Sequence, residues 1–215
     1  MEMKRATIAV ITVILLSFII ATYSYYHISG NWIASHWNLN GDADDHMSKF
    51  WGLFLLPTIS LGTYVLFLLI PKFDPLKENI EKFKKYYETF VLILILFFFY
   101  IFLLTTIYNF GVKFNMTEMI IPAVGVLFFY IGTLLKNLKR NWFIGIRTPW
   151  TLSNDQVWAK THALGSILFE ITGIIMIIGI FFGKYILWFV LTPIVITTLW
   201  LTIYSYIKYK TIKIK

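Results

Sequence analysis

The sequence predicts an all-α membrane protein: a polytopic bundle of six transmembrane helices with both termini in the cytoplasm. Three observations carry that expectation. The 215 residues are 58% hydrophobic and only 14% charged, more apolar surface than one core of this size can hide. The apolar residues gather in runs long enough to cross a hydrocarbon layer of about 30 Å, which only helices or closed barrels cross because lipid offers backbone groups no partners. The basic residues, finally, separate by side of the membrane.

The runs are Ala6 to Tyr26, Trp51 to Ile70, Thr89 to Tyr108, Met119 to Leu135, Ala163 to Phe182 and Tyr185 to Ile207. The fourth is short and carries Pro122, and the fifth is interrupted only by Glu170. No small-residue cleavage site follows the first run, so it is expected to stay as an anchor. With the N-terminus inside, the cytoplasmic segments hold Lys4 and Arg5, five lysines between Lys72 and Lys85, five basic residues from Lys136 to Lys160, and Lys208, Lys210, Lys213 and Lys215. Only Lys49, Lys113 and Lys184 fall outside. Sixteen of 19 basic residues on one face is the positive-inside asymmetry, and it sets the orientation.

The net charge of +8 follows from basic loops beside anionic headgroups, so membrane lipid, not nucleic acid, is the expected partner. No cysteine is present, which excludes disulfides and thiol chemistry. In order, residues 1–71 form a two-span module with an outer loop at 27–50. Residues 72–118 supply an amphipathic inner connection and the third span, and 119–215 form a three-span module with an inner motif at 141–162.

The outer loop shows turn signals at Asn-Leu-Asn-Gly and Gly-Asp, and Trp32 and Trp37 suit an interfacial position. In the inner connection Leu76, Ile80, Phe83 and Tyr87 recur at helical spacing, which predicts an amphipathic extension lying at the headgroups. The fifth and sixth spans are separated by little more than Gly183 and Lys184, so they must be antiparallel neighbours. Each half of the chain is a span, a long loop and two more spans entering from opposite sides, the form of an inverted repeat.

The inner motif, NWFIGIRTPWTLSNDQVWAKTH, breaks the apolar pattern. Pro149 forbids an αR conformation at Thr148, so a helix begins at Pro149 or just after. Ser153 and Gln156 have capping-box spacing, with Asp155 near the positive helix end. Beyond it Trp158, His162, Gly165, Phe169 and Gly173 form one stripe, a helix-packing face or a ligand groove. Arg147 suits a phosphate, a carboxylate or a main-chain turn. Glu170, deep in an apolar helix, must be protonated, paired or wet, and is a candidate for function.

GIRTPWTL (Gly145 to Leu152), followed by Val157-Trp158, Thr161-His162 and Gly165, resembles the signature of the SdpI family of bacterial membrane immunity proteins. SHWNLNGDADDHMSK (Ser35 to Lys49) is similar to that family's N-terminal module, with Ala34 in place of a Pro and Asp45, His46 and Met47 in place of a Gly-aromatic-Gly turn. The resemblance implies a receptor that protects its cell from a secreted peptide toxin and signals by holding a soluble repressor at the membrane. From these motifs, and from the depth of Glu170 in its helix, ligand- or partner-binding residues are expected among Arg147, Thr148, Pro149, Trp150, Trp158, His162 and Glu170 inside, and His36, Trp37 and Asn38 outside.

Two other classes compete. Glu170 with His162 and the possible repeat suggest a proton-coupled transporter. The three His and three Asp crowding residues 27–46 suggest a metal-dependent enzyme, yet there is no HExxH motif, no nucleophile and base pair, and no phosphate loop. No enzyme activity, cofactor or metal is therefore expected.

Overall fold

The computed structural model describes residues 2–213. Of the basic residues used for orientation, Lys215 and the side chains of Lys4 and Lys213 lie outside what is described. The chain runs through α1 (Glu2–His27), a hairpin of β1 (Trp32–Trp37) and β2 (Ala43–Ser48), α2 (Lys49–Phe73), α3 (Lys77–Glu81), α4 (Lys84–Asn109) and α5 (Met116–Asn137). It then enters α6 (Pro149–Ser153), α7 (Asp155–Ile178), a 3-10 turn at Gly179–Tyr185 and α8 (Ile186–Lys213). All six predicted spans lie in this helical framework, and α5 continues through Pro122 in its second turn.

The chain is a multi-pass membrane protein with five or more helices long and apolar enough to cross a bilayer. One apolar helical stretch, Asp155–Ile212, is 58 residues long. As one helix it would run ~87 Å at 1.5 Å per residue, about three times the hydrocarbon thickness of ~30 Å. It does not: Gly183, at φ 50° and ψ −117°, breaks the helix, and α7 and α8 pack along one another. Large apolar side chains such as Ile8, Leu15 and Ile19 of α1 and Trp188, Ile196 and Leu199 of α8 face outward. Lipid is the solvent in which such surfaces are stable.

The chain divides into two compact units, residues 1–67 with 91–123 and residues 68–90 with 124–215. In the first, Ala21, Ile28, Ile33, Leu53 and Phe102 form one buried cluster and Ala34, Leu104, Tyr108 and Met116 a second. Between α1 and α2 stands the antiparallel hairpin, with Trp32 opposite Ser48 and Trp37 opposite Ala43. Sequence reading found its turn but not its strands. The turn closes on Asn38, whose Oδ1 accepts the N–H groups of Asn40 (2.9 Å) and Asp42 (3.1 Å), and Gly41 supplies the required φ of 83°.

In the second unit the inner connection departs from the amphipathic helix expected at the headgroups. It breaks into the end of α2, the single turn of α3 and the start of α4, and Ile80, Phe83 and Tyr87 are buried within the protein. The small-residue stripe of α7 packs against α5. A Cβ added to Gly173 would meet the backbone of Gly125 and Phe129, and Phe169 stacks on Phe128 at 5.6 Å. Close backbone approach of this kind is how helices associate where the hydrophobic effect supplies no drive.

Candidate functional site

The inner motif, part of the second unit, is a folded plug of main chain held by side-chain hydrogen bonds. At its start Asn141 is completely buried. Its Oδ1 accepts the N–H groups of Phe143 (3.0 Å) and Ile144 (2.7 Å), while its Nδ2 donates to the carbonyls of Lys139 and Ile144. All four hydrogen bonds that an amide side chain makes are present, so the loop is fixed without secondary structure.

Three residues before α3, the buried Asp74 does similar work. Its Oδ1 accepts the N–H of Leu76 at 2.7 Å and its Oδ2 that of Trp142 at 2.9 Å. Asn79 donates to the carbonyl of Arg140 at 2.8 Å. Arg140 in turn donates to the Leu152 carbonyl (2.7 Å), and its Nε sits 2.7 Å from Asp155 Oδ1, an ion pair without hydrogen-bond alignment.

Gly145 carries φ 113°, and a Cβ there would lie 2.5 Å from Nε2 of His162. That nitrogen accepts the N–H of Ile146 at 3.0 Å, while Nδ1 donates to the Trp158 carbonyl at 2.9 Å. One partner is a donor and the other an acceptor, so the tautomer is set as neutral with the proton on Nδ1. The Trp158 ring stacks on His162 at 3.9 Å and donates Nε1–H to the Leu138 carbonyl at 3.2 Å.

Helix starts are built differently from the predicted Ser153–Gln156 capping box, which does not form: Ser153 donates to the Trp150 carbonyl instead. Thr148 is the N-cap of α6, in a reciprocal box with Thr151 and with Pro149 as the first helical residue. Asn154 is the N-cap of α7, its Oδ1 accepting from Gln156 (2.8 Å) and Val157 (3.1 Å). Both follow the N-cap preference; competition among Thr148, Ser153 and Asn154 within seven residues obscured the choice. Thr148 also donates to Ser205 of α8 at 3.1 Å, and Trp150 lies against Tyr206.

Of the predicted inner residues, then, Thr148, Trp158 and His162 have their polar atoms engaged inside the protein. Arg147 is exposed and donates Nη1–H to the Trp142 carbonyl at 2.7 Å. Beside it on the chain, Trp142 (51% exposed) and Phe143 (41%) present apolar rings that sequence reading did not single out. Glu170 is half-buried, its Oε1 3.4 Å from the Thr133 hydroxyl, with no basic partner among the described residues. The structure does not bring it to His162, whose two nitrogens are occupied elsewhere.

The outer residues belong to the first unit. His36 Nδ1 lies 2.6 Å from Asp44 Oδ1, and Asp45 accepts from the N–H of His46. The loop's His and Asp residues are thus dispersed, not gathered around one point. Trp37 packs edge-on to Tyr108 at 5.3 Å, and its indole Nε1 is buried without an acceptor among the described residues. Asn38 builds the turn and accepts from Thr117 through its carbonyl. Asn109 clamps β1 by accepting from the N–H of Ala34 (2.9 Å) and donating to its carbonyl (3.0 Å). Behind the hairpin lies a cavity of about 490 Å³, lined by Trp37, Met47, Leu56, Ile101 and Ile120 among others.

Residues 137–205 match the SdpI/YfhL protein family. Over that span, 69 of the 215 residues, the chain is similar to this family. The matched span begins at the last residue of α5 and ends at Ser205, the residue that Thr148 reaches, so it encloses the inner motif, α7 and α8 as far as Ser205. Residues 12–61, which enclose the hairpin, match a domain of unknown function (DUF1648). The chain is also 26% identical over 209 residues to the immunity protein SdpI of Bacillus subtilis (strain 168), covering 97% of each chain. No solved structure matches.

Proposed function

We propose that this protein is a membrane immunity protein that protects its cell from a secreted peptide toxin and reports engagement to a soluble partner, a repressor, inside. The observation that carries the reading is the similarity to an immunity protein along nearly the whole of both chains, through the outer hairpin as well as the inner motif. Six crossings with both termini inside fit it, placing the hairpin outside and the motif within on the asymmetry of basic residues.

In this reading the hairpin and the cavity behind it meet the toxin. The inner motif offers Trp142, Phe143 and Arg147 as its exposed surface, rigidly presented because Asn141, Asp74 and His162 hold the backbone beneath. A fixed aromatic and arginine cluster loses little side-chain entropy on binding, the quality that makes such residues effective contacts. Expression of the chain in cells sensitive to a producer's secreted peptide tests the reading. Survival is expected to rise with expression, and unchanged killing by every producer of such a peptide removes it.

A further inference from the structure

The outer cavity carries an inference that deepens this reading and rests on it. Its walls come from both strands and three helices: Trp37 of β1, Met47 of β2, Leu55 and Leu56 of α2, Ile101 of α4 and Ile120 of α5. A volume of about 490 Å³ takes several side chains, within the roughly 300–1,000 Å³ usual for ligand sites. Trp37 is one of its lining residues, and its indole Nε1, closed off from solvent, has no acceptor among the described residues. A ligand carbonyl supplies the missing acceptor once the indole turns its N–H toward the cavity as the ligand enters.

The charge around the cavity selects the ligand. Asp44 is bonded to the lining residue His36, Asp45 is the cross-strand partner of His36, and Glu118 follows the lining residue Thr117; all three acids are exposed. The two lysines of the same unit's outer loops are turned away from that role. Lys49 donates to the Ile28 carbonyl and lies over the Tyr25 ring, and Lys113 donates to the Tyr108 carbonyl and lies over the Tyr108 ring. An acidic rim on an apolar cavity repels anionic lipid headgroups and favours a cationic ligand.

We propose that the cavity behind the hairpin seats an apolar peptide segment flanked by basic residues, with a peptide carbonyl accepting from Trp37 and the basic groups meeting Asp44, Asp45 and Glu118. Peptide suits the site better than an acyl chain because it offers a carbonyl at every residue, wherever along the cavity Trp37 lies.

The chain has no cysteine, so Ile120→Cys places a single thiol in the cavity. Full-length protein in phosphatidylcholine nanodiscs is treated with a methanethiosulfonate reagent. Two synthetic probes are added: a Leu/Trp segment flanked by lysines, and the same segment flanked by glutamates. The lysine-flanked probe is expected to slow modification at least tenfold and the glutamate-flanked probe to leave it unchanged. Adding Asp44→Asn, Asp45→Asn and Glu118→Gln together, or Trp37→Phe alone, is expected to weaken protection at least fivefold in protein whose melting temperature is retained.

Equal protection of the Ile120→Cys thiol by both probes overturns the proposal before any acid or Trp37 is changed, as does undiminished protection in Trp37→Phe. A thiol that is unreactive in nanodiscs without peptide and becomes reactive in detergent identifies lipid as the occupant and also overturns it. The cavity-filling variant Ile101→Trp, assayed for cell protection, separates the two readings. Full protection by that variant sinks the cavity proposal alone, whereas no protection by the unaltered chain sinks the immunity reading whatever the probes do.

Discussion

Nε2 of His162 accepts the N–H of Ile146 at 3.0 Å across a glycine, Gly145, that leaves no room for a side chain between them. The ring thereby ties α7 to the loop before α6. Replacement by Phe keeps the stack on Trp158 but leaves the Ile146 N–H without its acceptor, at a cost of about 1–3 kcal/mol. A lowered melting temperature in detergent is the expected outcome. Gly145→Ala suffers twice, from φ 113° and from contact with the ring. In a His162→Ala background its penalty should shrink but persist, because only the contact is relieved; fully additive penalties in a double-mutant cycle contradict the arrangement.

Asp74 joins the α2–α3 turn to the inner motif through two N–H groups 66 residues apart in sequence, those of Leu76 and Trp142. Asp74→Asn keeps one acceptor oxygen and turns an NH2 group toward the other N–H. Hydrogen bonds to a carboxylate are each worth roughly 1.5–3 kcal/mol, so the variant is expected to fold with a loosened loop. Hydrogen exchange at the amides of Leu76 and Trp142 measures it. Faster exchange at both, or at one alone, fits the bond pattern; unchanged protection at both does not.

Long-range ties such as Asp74 to Trp142 were beyond the reach of sequence reading, since nothing in Phe-Asp-Pro says where a carboxylate's second oxygen goes. What was legible is local. Apolar runs mark helices because lipid forces each span to satisfy its own backbone, and Gly183-Lys184 marks the α7–α8 reversal because little chain is left to do anything else. The hairpin was hidden for a physical reason: Asp44, Asp45 and His46 of β2 all face solvent, so its strand lacks the alternation that betrays a half-buried strand. Ile80, Phe83 and Tyr87 were recognised as an apolar stripe, but periodicity cannot distinguish a lipid surface from a protein one, and here the stripe faces protein.

Glu170 separates the immunity reading from proton-coupled export. Its one hydrogen bond among the described residues is long, and Gln retains an oxygen to accept from Thr133. Glu170→Gln should therefore leave stability within about 0.5 kcal/mol, as do most substitutions that break no buried network, and should leave cell protection intact. Loss of a substrate or proton flux in vesicles, with folding unchanged, favours transport instead.

Orientation is testable at one exposed residue of the inner motif. Ser153→Cys, the sole thiol in the chain, should resist a membrane-impermeant maleimide on intact cells and react after permeabilisation. Labelling of intact cells reverses the placement of motif and hairpin together, because α7 leads directly from this position into the membrane.

Two glycines in long helices make opposite predictions from the same substitution. At Gly173 of α7 a Cβ would strike the backbone of Gly125 and Phe129, atoms that cannot rotate away, so α5 and α7 must separate to admit it. Gly173→Ala is expected to cost about 1–3 kcal/mol, as overpacking does, and Gly173→Leu to prevent folding. At Gly62 of α2 an added Cβ meets nothing within 4 Å. There Gly62→Ala gains helix propensity of up to ~1 kcal/mol with no steric penalty. Melting temperatures of the two alanine variants should therefore move in opposite directions, and a common shift would mean that the α5–α7 crossing is not as close as described.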